Sequence, residues 1–516
     1  MFVFGVDEEL SPIHLAEIAR LGTKICLGDN VRARVSLSRR KLEQFVSEGR
    51  IIYGVNTSMG GFVNWHVPVE NANTLQMNLI RSVATNVGEY LDDVTTRAIM
   101  LSRINSLCRG NSAITLEVLE LLVSLYNSEI LPCIPEKGSL GTSGDLGPLA
   151  CIALVCTGEW KAKYEGTIMP ARDALTLAGL KAACLGYKEG LALINGTSGM
   201  TGVACCLVRE TQNLLDQYCL ISALSFEGLR AIKKPFDPEV HRLKPHPGQM
   251  LVAEKIFDYL QSSELILQES DAQRKIQSEQ DGSIKPSDNQ IEDAYSIRCT
   301  PQILGPVVDA LKYINDVLHN ELNSSNDNPL IVPESDEVFH NGHFHGQYVA
   351  MAMDFLAIGL TTLSNLANRR IDRFLDTTHS NGLPPFLCSK NPGLRLGLMG
   401  GQFMSASITA ENRSLCTPLS IQSLSTTADF QDIVSFGLVA ARRAREIFEN
   451  TKYVVAFELV CACQAVEIRG ARGLSEPTSV LFDKVRGIIP FLEEDVVLTE
   501  YLERLSKELI GCEQSS

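Results

Sequence analysis

The sequence predicts a mainly α fold, a bundle of long helices, and three observations carry that expectation. Apolar residues recur at helical spacing over long stretches, alternating strand patterns are few and short, and the composition is that of a folded chain. Of 516 residues, 45% are hydrophobic and 21% charged, which rules out an extended disordered chain.

The elements follow in order. The opening residues, MFVFGVDEELSPIHL, have no basic stretch ahead of an apolar one, so no signal peptide is expected. Tyr53-Gly-Val-Asn-Thr-Ser-Met-Gly-Gly61 is too rich in glycine for a stable helix and is read as a loop. Val94, Ala98, Leu101, Ile104 and Leu107 form one stripe, opened by Asp92 and Asp93 and closed by Gly110, which predicts a helix. A glycine-rich window over 137–149 runs into an apolar helix at Ala150, Ile152, Ala153 and Val155. A short strand is expected around Gly166 to Pro170. From Gln268 to Asp293 the chain is polar and charged without an apolar period, so an irregular lid is expected there. Helical periodicity returns at Val307, Leu311, Ile314, Leu318 and Leu322, and again from about Ser435 to Arg469.

Charge and cysteine usage narrow the class. The net charge of -15 argues against a nucleic-acid surface and against an anionic membrane surface. No run of about 18 apolar residues suggests a membrane span. The 15 cysteines sit mostly within apolar runs, as at Cys205-Cys206, and read as buried small hydrophobes in a cytoplasmic protein, not as a disulfide framework. Cys461-Ala-Cys463 lacks metal-ligand spacing, and His340, His343 and His345 lack a carboxylate or fourth ligand in register, so no metal is expected.

The sharpest chemical feature is Lys137-Gly-Ser-Leu-Gly-Thr-Ser-Gly-Asp-Leu-Gly-Pro-Leu149. By composition it is a glycine turn leading to a helix N-terminus able to meet an anion. It has neither the ending of a Walker loop nor the spacing of a nucleophile elbow. Further blocks follow: Leu193-Ile-Asn-Gly-Thr-Ser198, Asp293-Ala-Tyr-Ser-Ile-Arg-Cys-Thr-Pro-Gln302, Asn323-Ser-Ser-Asn-Asp-Asn-Pro-Leu330 and Gly342-His-Phe-His-Gly346, then Gln431-Asp432 and Glu458. Together with the Tyr53 loop, and in this order, they resemble the aromatic amino acid lyase and aminomutase family, which includes histidine, phenylalanine and tyrosine ammonia-lyases.

The resemblance implies an electrophile built from the chain itself, 4-methylidene-imidazol-5-one (MIO), by cyclisation of Thr142-Ser143-Gly144 with no external cofactor. Thr142 stands where alanine is usual in the family; only its carbonyl is needed, and the methylidene comes from Ser143. It implies Tyr53 as the base at the substrate Cβ, Arg298 as the carboxylate clamp, and Asn195, Tyr295 and Gln302 as hydrogen-bond donors around the MIO oxygen. Asn328 and Phe344 are expected on the carboxylate side and Glu458 on the amine side. A tyrosine near its reference pKa of about 10 is mostly protonated at neutral pH, so Tyr53 needs donors that stabilise its phenolate.

The specificity positions disfavour histidine as substrate: Val83 replaces the histidine that histidine lyases show, and Gln431 replaces their glutamate, which removes polar partners for imidazole. Leu79, Ser82, Val83, Met399, Gln402, Phe403, Phe430 and Gln431 are expected around an aromatic side chain. Thr142 and the blocks Gly400-Gly-Gln-Phe-Met404 and Thr427 to Gly437 resemble bacterial phenylalanine 2,3-aminomutases. The leading expectation is an aminomutase converting an aromatic L-α-amino acid of phenylalanine or tyrosine type to its β-isomer for a specialised metabolite. The alternatives are an ammonia-lyase releasing an arylacrylate and a non-catalytic helical scaffold. The expected division is an N-terminal helical domain over 1–204 carrying the Tyr53 loop, MIO and lid loops, and a long-helix central bundle over 205–516 with the outer lid and C-terminal helices. The resemblance further implies a homotetramer whose active sites are shared between chains.

Overall fold

The computed structural model describes residues 1–287 and 291–511. The chain forms two compact units. The first comprises Met1–Arg209, Ile314–Asp354 and Pro418–Arg442, and the second comprises Glu210–Tyr313, Phe355–Thr417 and the residues from Arg443 on. The first unit thus runs slightly past 204 and takes up two later segments as well.

Helices dominate, and local chemistry sets their ends. Helix Asp93–Cys108 starts where Asp92 accepts a hydrogen bond from the Thr95 N–H at 2.9 Å, satisfying one of the unpaired donors of its first turn. It is buried on nearly every face, Arg103 included, so it is a central helix and not the one-sided stripe its spacing suggests. Helix Leu146–Cys156 is apolar all round and buried from Gly147 to Cys156. Helices Ala72–Val83 and Glu189–Ile194 pack against it and against each other. The longest helices are Ser198–Leu229, Thr300–Leu322, Gln347–Leu375 and Gly437–Ile468. Gln347–Leu375 has the length and composition of a membrane span, but 72% of its most apolar window is buried in protein, as in a core helix.

Strands are marginal. The expected strand near Pro170 is Thr167–Pro170, paired antiparallel with Lys161–Tyr164 through a turn in which Glu165 and Gly166 both have positive φ, the geometry that matches strand twist in a tight hairpin. Leu330–Val332 and Glu337–Phe339 form another short antiparallel pair.

The segment expected to be irregular from 268 to 293 corrects that reading in part: Glu269–Glu279 is an α-helix with no buried residue. Acidic Glu269 and Asp271 in its first turn and an Asp271–Arg274 ion pair support it without any apolar face. Residues 288–290 of that segment lie outside the described residues.

Candidate active site

The Thr142-Ser143-Gly144 loop lies in the first unit, directly before helix Leu146–Cys156, and a second loop clamps it. The Gly196 N–H donates to the Ser143 carbonyl at 3.1 Å, and the Asp145 N–H donates to the Gly196 carbonyl at 2.8 Å. This contact needs glycine on both sides: a Cβ at Gly144 (φ +71°) would lie 1.9 Å from the Gly196 oxygen, and one at Gly196 (φ +144°) 2.2 Å from the Asn326 oxygen. Asp145 does not cap its helix. Its fully buried carboxylate accepts from the Ser139 hydroxyl at 2.8 Å and from the Met200 N–H at 2.6 Å. Burial outweighs these donors and pushes its pKa up to about 6.

Tyr53 is held by its own loop. Its hydroxyl oxygen accepts the Gly60 N–H at 3.0 Å, and its backbone N–H donates to His340 Nε2 at 3.1 Å. Burial pushes the phenol above its ordinary value, and the Gly60 amide pulls it partway back. His340 is held below its ordinary value by burial, which suits a neutral ring accepting at Nε2.

Asn195 ends helix Glu189–Ile194 and is 2% exposed. Its Nδ2 donates to Asp327 Oδ1 at 2.9 Å and to the Asn328 carbonyl at 3.1 Å. Asp327 is fully buried and pairs through Oδ2 with the equally buried Lys188 Nζ at 2.6 Å. Burial lowers the Lys188 pKa and Asp327 opposes that shift; Arg103, also fully buried, is lowered to about 10 by burial against the same carboxylate.

On the opposite side, Gln431 Nε2 donates to Ser143 Oγ at 3.3 Å, and Gln431 Oε1 accepts from the Thr427 hydroxyl at 2.6 Å. Thr427, Ala428 and Asp429 carry φ of +59°, +53° and +62° in succession. Each such non-glycine residue costs about 1–2 kcal/mol, so this loop is strained where it meets Gly60 and Gly61.

These pieces surround one cavity of about 1120 Å³ in the first unit. Of the residues singled out by sequence, Tyr53, Leu79, Ser82, Val83, Thr142, Ser143, Asn195, Asn328, Phe344, Phe430 and Gln431 line it, with Gly144 held just behind. The Ser82 hydroxyl donates to its own helix at the Leu79 carbonyl, 2.8 Å away, which leaves the cavity an acceptor. The Gly60 donor, the strained 427–429 loop, and the Lys188–Asp327 pair were not singled out. A backbone N–H and a backbone angle carry no side-chain signal, although Lys188 lies beside the Asn195 block and Asp327 within another.

The other expected residues belong to the second unit. Arg298 Nε donates to the Asp293 carbonyl at 2.8 Å, its guanidinium pairs with Glu292 at 2.9 Å, and it lies over the ring of Tyr295, itself 68% exposed. Gln302 and Phe403 are exposed, Met399 opens helix Met399–Leu415, and Gln402 Nε2 donates to Asp372 at 2.9 Å. Glu458 is fully buried, accepting from Tyr218 at 2.7 Å and Ser225 at 2.8 Å, with Arg370 at 3.1 Å. Among the described residues no cluster of three or more His, Cys, Asp or Glu has the form of a metal site.

Known proteins resemble this chain over nearly its whole length. The aromatic amino acid lyase family matches residues 10–487. A phenylalanine aminomutase of Pantoea agglomerans is 59% identical, covers 99% of each chain, and superposes with a TM-score of 0.97. A tyrosine aminomutase of Streptomyces globisporus is 37% identical over 98% of this chain and 96% of its own, with a TM-score of 0.94. A tyrosine ammonia-lyase of Cupriavidus metallidurans is 41% identical over 96% of this chain and 94% of its own.

Proposed function

The chain belongs to the aromatic amino acid lyase family, and we propose that within it the protein is a 2,3-aminomutase for an aromatic L-α-amino acid of phenylalanine or tyrosine type. The observation that carries this reading is the 59% identity over 99% of both chains to a protein named a phenylalanine aminomutase. The cavity agrees with it, since Leu79, Val83, Leu146, Phe344 and Phe430 offer apolar wall to an aromatic ring. Val83 and Gln431 give an imidazole no ionised partner, and the Gln431 amide is already engaged by Ser143 and Thr427.

The residues at 142–144 fit an MIO group. Ser143 lies at the cavity wall, both flanking peptides are pinned to Gly196, and the Gly144 N–H has no hydrogen-bond acceptor among the described residues, so its nitrogen is available to close on the Thr142 carbonyl. When formed, that group supplies the electrophile that holds the amino nitrogen as it leaves Cα.

The chain's own residues supply the rest. Tyr53, as its phenolate, takes the proton from Cβ; the Gly60 amide points at the oxygen that carries the negative charge before that transfer. One amide against burial does not bring a phenol to neutral pH, so further donors must close over it in the assembled homotetramer. Tyr295 and Gln302 of neighbouring copies are the proposed donors around the MIO oxygen. Arg298 clamps the substrate carboxylate and aims the Cβ–H at Tyr53. Asn328 and Phe344 flank the carboxylate. Met399, Gln402 and Phe403 complete the site from other copies; Glu458, expected on the amine side, is instead fully buried against Tyr218, Ser225 and Arg370 of its own chain and has no face to offer an amine. In the net reaction the amino group moves from Cα to Cβ and a proton returns to Cα, with no oxidant or reductant.

A second reading, net elimination to ammonia and an arylacrylate, has the 41% identical tyrosine ammonia-lyase on its side. The two differ in whether the lids hold the acrylate until the amine re-adds. Purified protein incubated separately with phenylalanine, tyrosine and histidine separates them. β-Amino acid in excess of acrylate is expected; acrylate with equimolar ammonia would make it a lyase, and no turnover of any of the three would overturn both. Ser143→Ala is expected to remove activity and the near-ultraviolet band of MIO while the protein stays folded.

A further inference from the structure

Asn195 faces two groups that can only accept. The Asn328 carbonyl is one; Asp327 Oδ1 is the other, because the same oxygen also takes the Asn328 N–H at 2.7 Å. It stays an acceptor wherever the proton of the Lys188–Asp327 pair resides, since that pair forms through Oδ2. The end of the Asn195 amide toward them must therefore be its NH2, and both of its hydrogens are used. Asn195 lines the cavity, so the polar atom left to it there is the amide oxygen.

We propose that the buried Lys188–Asp327 pair is a positioning device that turns the Asn195 amide oxygen into the cavity, where it accepts an N–H of the substrate's amino group. This is the reverse of the donor role that the family resemblance implies for Asn195, and it rests on the function proposed above. The amine of an α-amino acid brings N–H donors; its carboxylate brings none. An acceptor beside Ser143 therefore selects the nitrogen and directs it to the atom that is to receive it. Lys188 touches no substrate. Its part is to hold Asp327, at 2.6 Å and out of water, so that the amide has no second orientation.

The test uses binding, not turnover. In a Ser143→Ala background, calorimetry measures the Kd of phenylglycine, whose β-carbon is a ring atom with no proton to lose, and of phenylacetate, the same molecule without the amino group. The background protein is expected to prefer phenylglycine. Adding Lys188→Met with Asp327→Asn replaces the pair by neutral groups of similar shape, and the new amide can donate as well as accept. Phenylglycine is then expected to weaken by at least about tenfold while phenylacetate is unchanged. Asp327→Asn alone, which keeps Lys188, should give the same selectivity change if the double variant fails to fold. Equal weakening of both probes, or of neither, would overturn the proposal while leaving the proposed function intact. A background protein that binds neither probe would overturn that function and the inference together.

Discussion

Replacing Gly196 by alanine tests whether the clamp on the 142–144 loop is as tight as its geometry says. The new Cβ would lie 2.2 Å from the Asn326 carbonyl and 2.7 Å from Arg103 Nη1. The first contact is at least about 1 Å too short, and the obstacle is backbone that cannot swing aside. The φ of +144° adds a conformation that alanine avoids, at about 1–3 kcal/mol, and overpacking a buried site adds about 1–3 kcal/mol more. A loss of about 2–6 kcal/mol is expected, a large share of the roughly 5–15 kcal/mol that holds a typical domain together. If the loop yields instead, Gly196 moves off Ser143 and Asp145, and a shift near 1 Å costs on the order of 100-fold in rate. Gly166→Ala is the control: φ there is +78° but nothing lies within 4 Å, so only about 1–2 kcal/mol is expected, with kcat unchanged. Denaturant unfolding, the near-ultraviolet band and kcat of the two variants decide it. Were Gly196→Ala to match Gly166→Ala in stability and kcat, the clamp would not be what orders this loop.

Other outcomes follow from the same geometry. Tyr53→Phe is expected to lower kcat by at least about 100-fold, with stability within about 1 kcal/mol, because only the bond from Gly60 is lost; steady-state kinetics beside a thermal melt reads both. Asp145 has its pKa raised from 3.8 to about 6, so the native protein binds that proton more tightly than the unfolded chain, and stability falls as pH rises from 4 to 6, by about 3 kcal/mol at most. Asp145→Asn removes that slope, since an amide can accept from Met200 and donate to the Ser139 hydroxyl. Denaturant unfolding of both proteins across this range should show the variant gaining on the parent toward high pH, and parallel profiles would refute the burial argument. Thr427→Gly relieves one left-handed residue and removes the 2.6 Å bond to Gln431, loosening the loop against Gly60 and Gly61. The acrylate share of the products is expected to rise, and an unchanged ratio by chromatography would count against lid control of the outcome.

Local chemistry was legible in the sequence. The cap at Asp92, the short strand ending at Pro170 and the apolar helix after Gly144 rest on the residue types of neighbours in the chain, which state them directly. The spacing of apolar residues likewise announced the long helices, because burying a continuous face is the main stabiliser of a helix in water. Helix Glu269–Glu279 escaped that reading because charge pairs and end charges support it without an apolar period.

The motif order alone named Tyr53, Thr142, Ser143 and Asn195 as a set, and they stand around one cavity. What only the tertiary structure decided is how each is held and which atom it presents. Gln431 reaches Ser143 across 288 residues of sequence, and Asp327 turns Asn195 across 132. The donor to Tyr53 is a backbone amide, which every residue but proline possesses. Even the burial of Lys188, Asp327 and Glu458 could not be read from their types, since charged side chains usually lie outside. Sequence specifies which groups exist and which local conformations they favour; through-space distance, which sets hydrogen bonding and desolvation, exists only once the chain has folded.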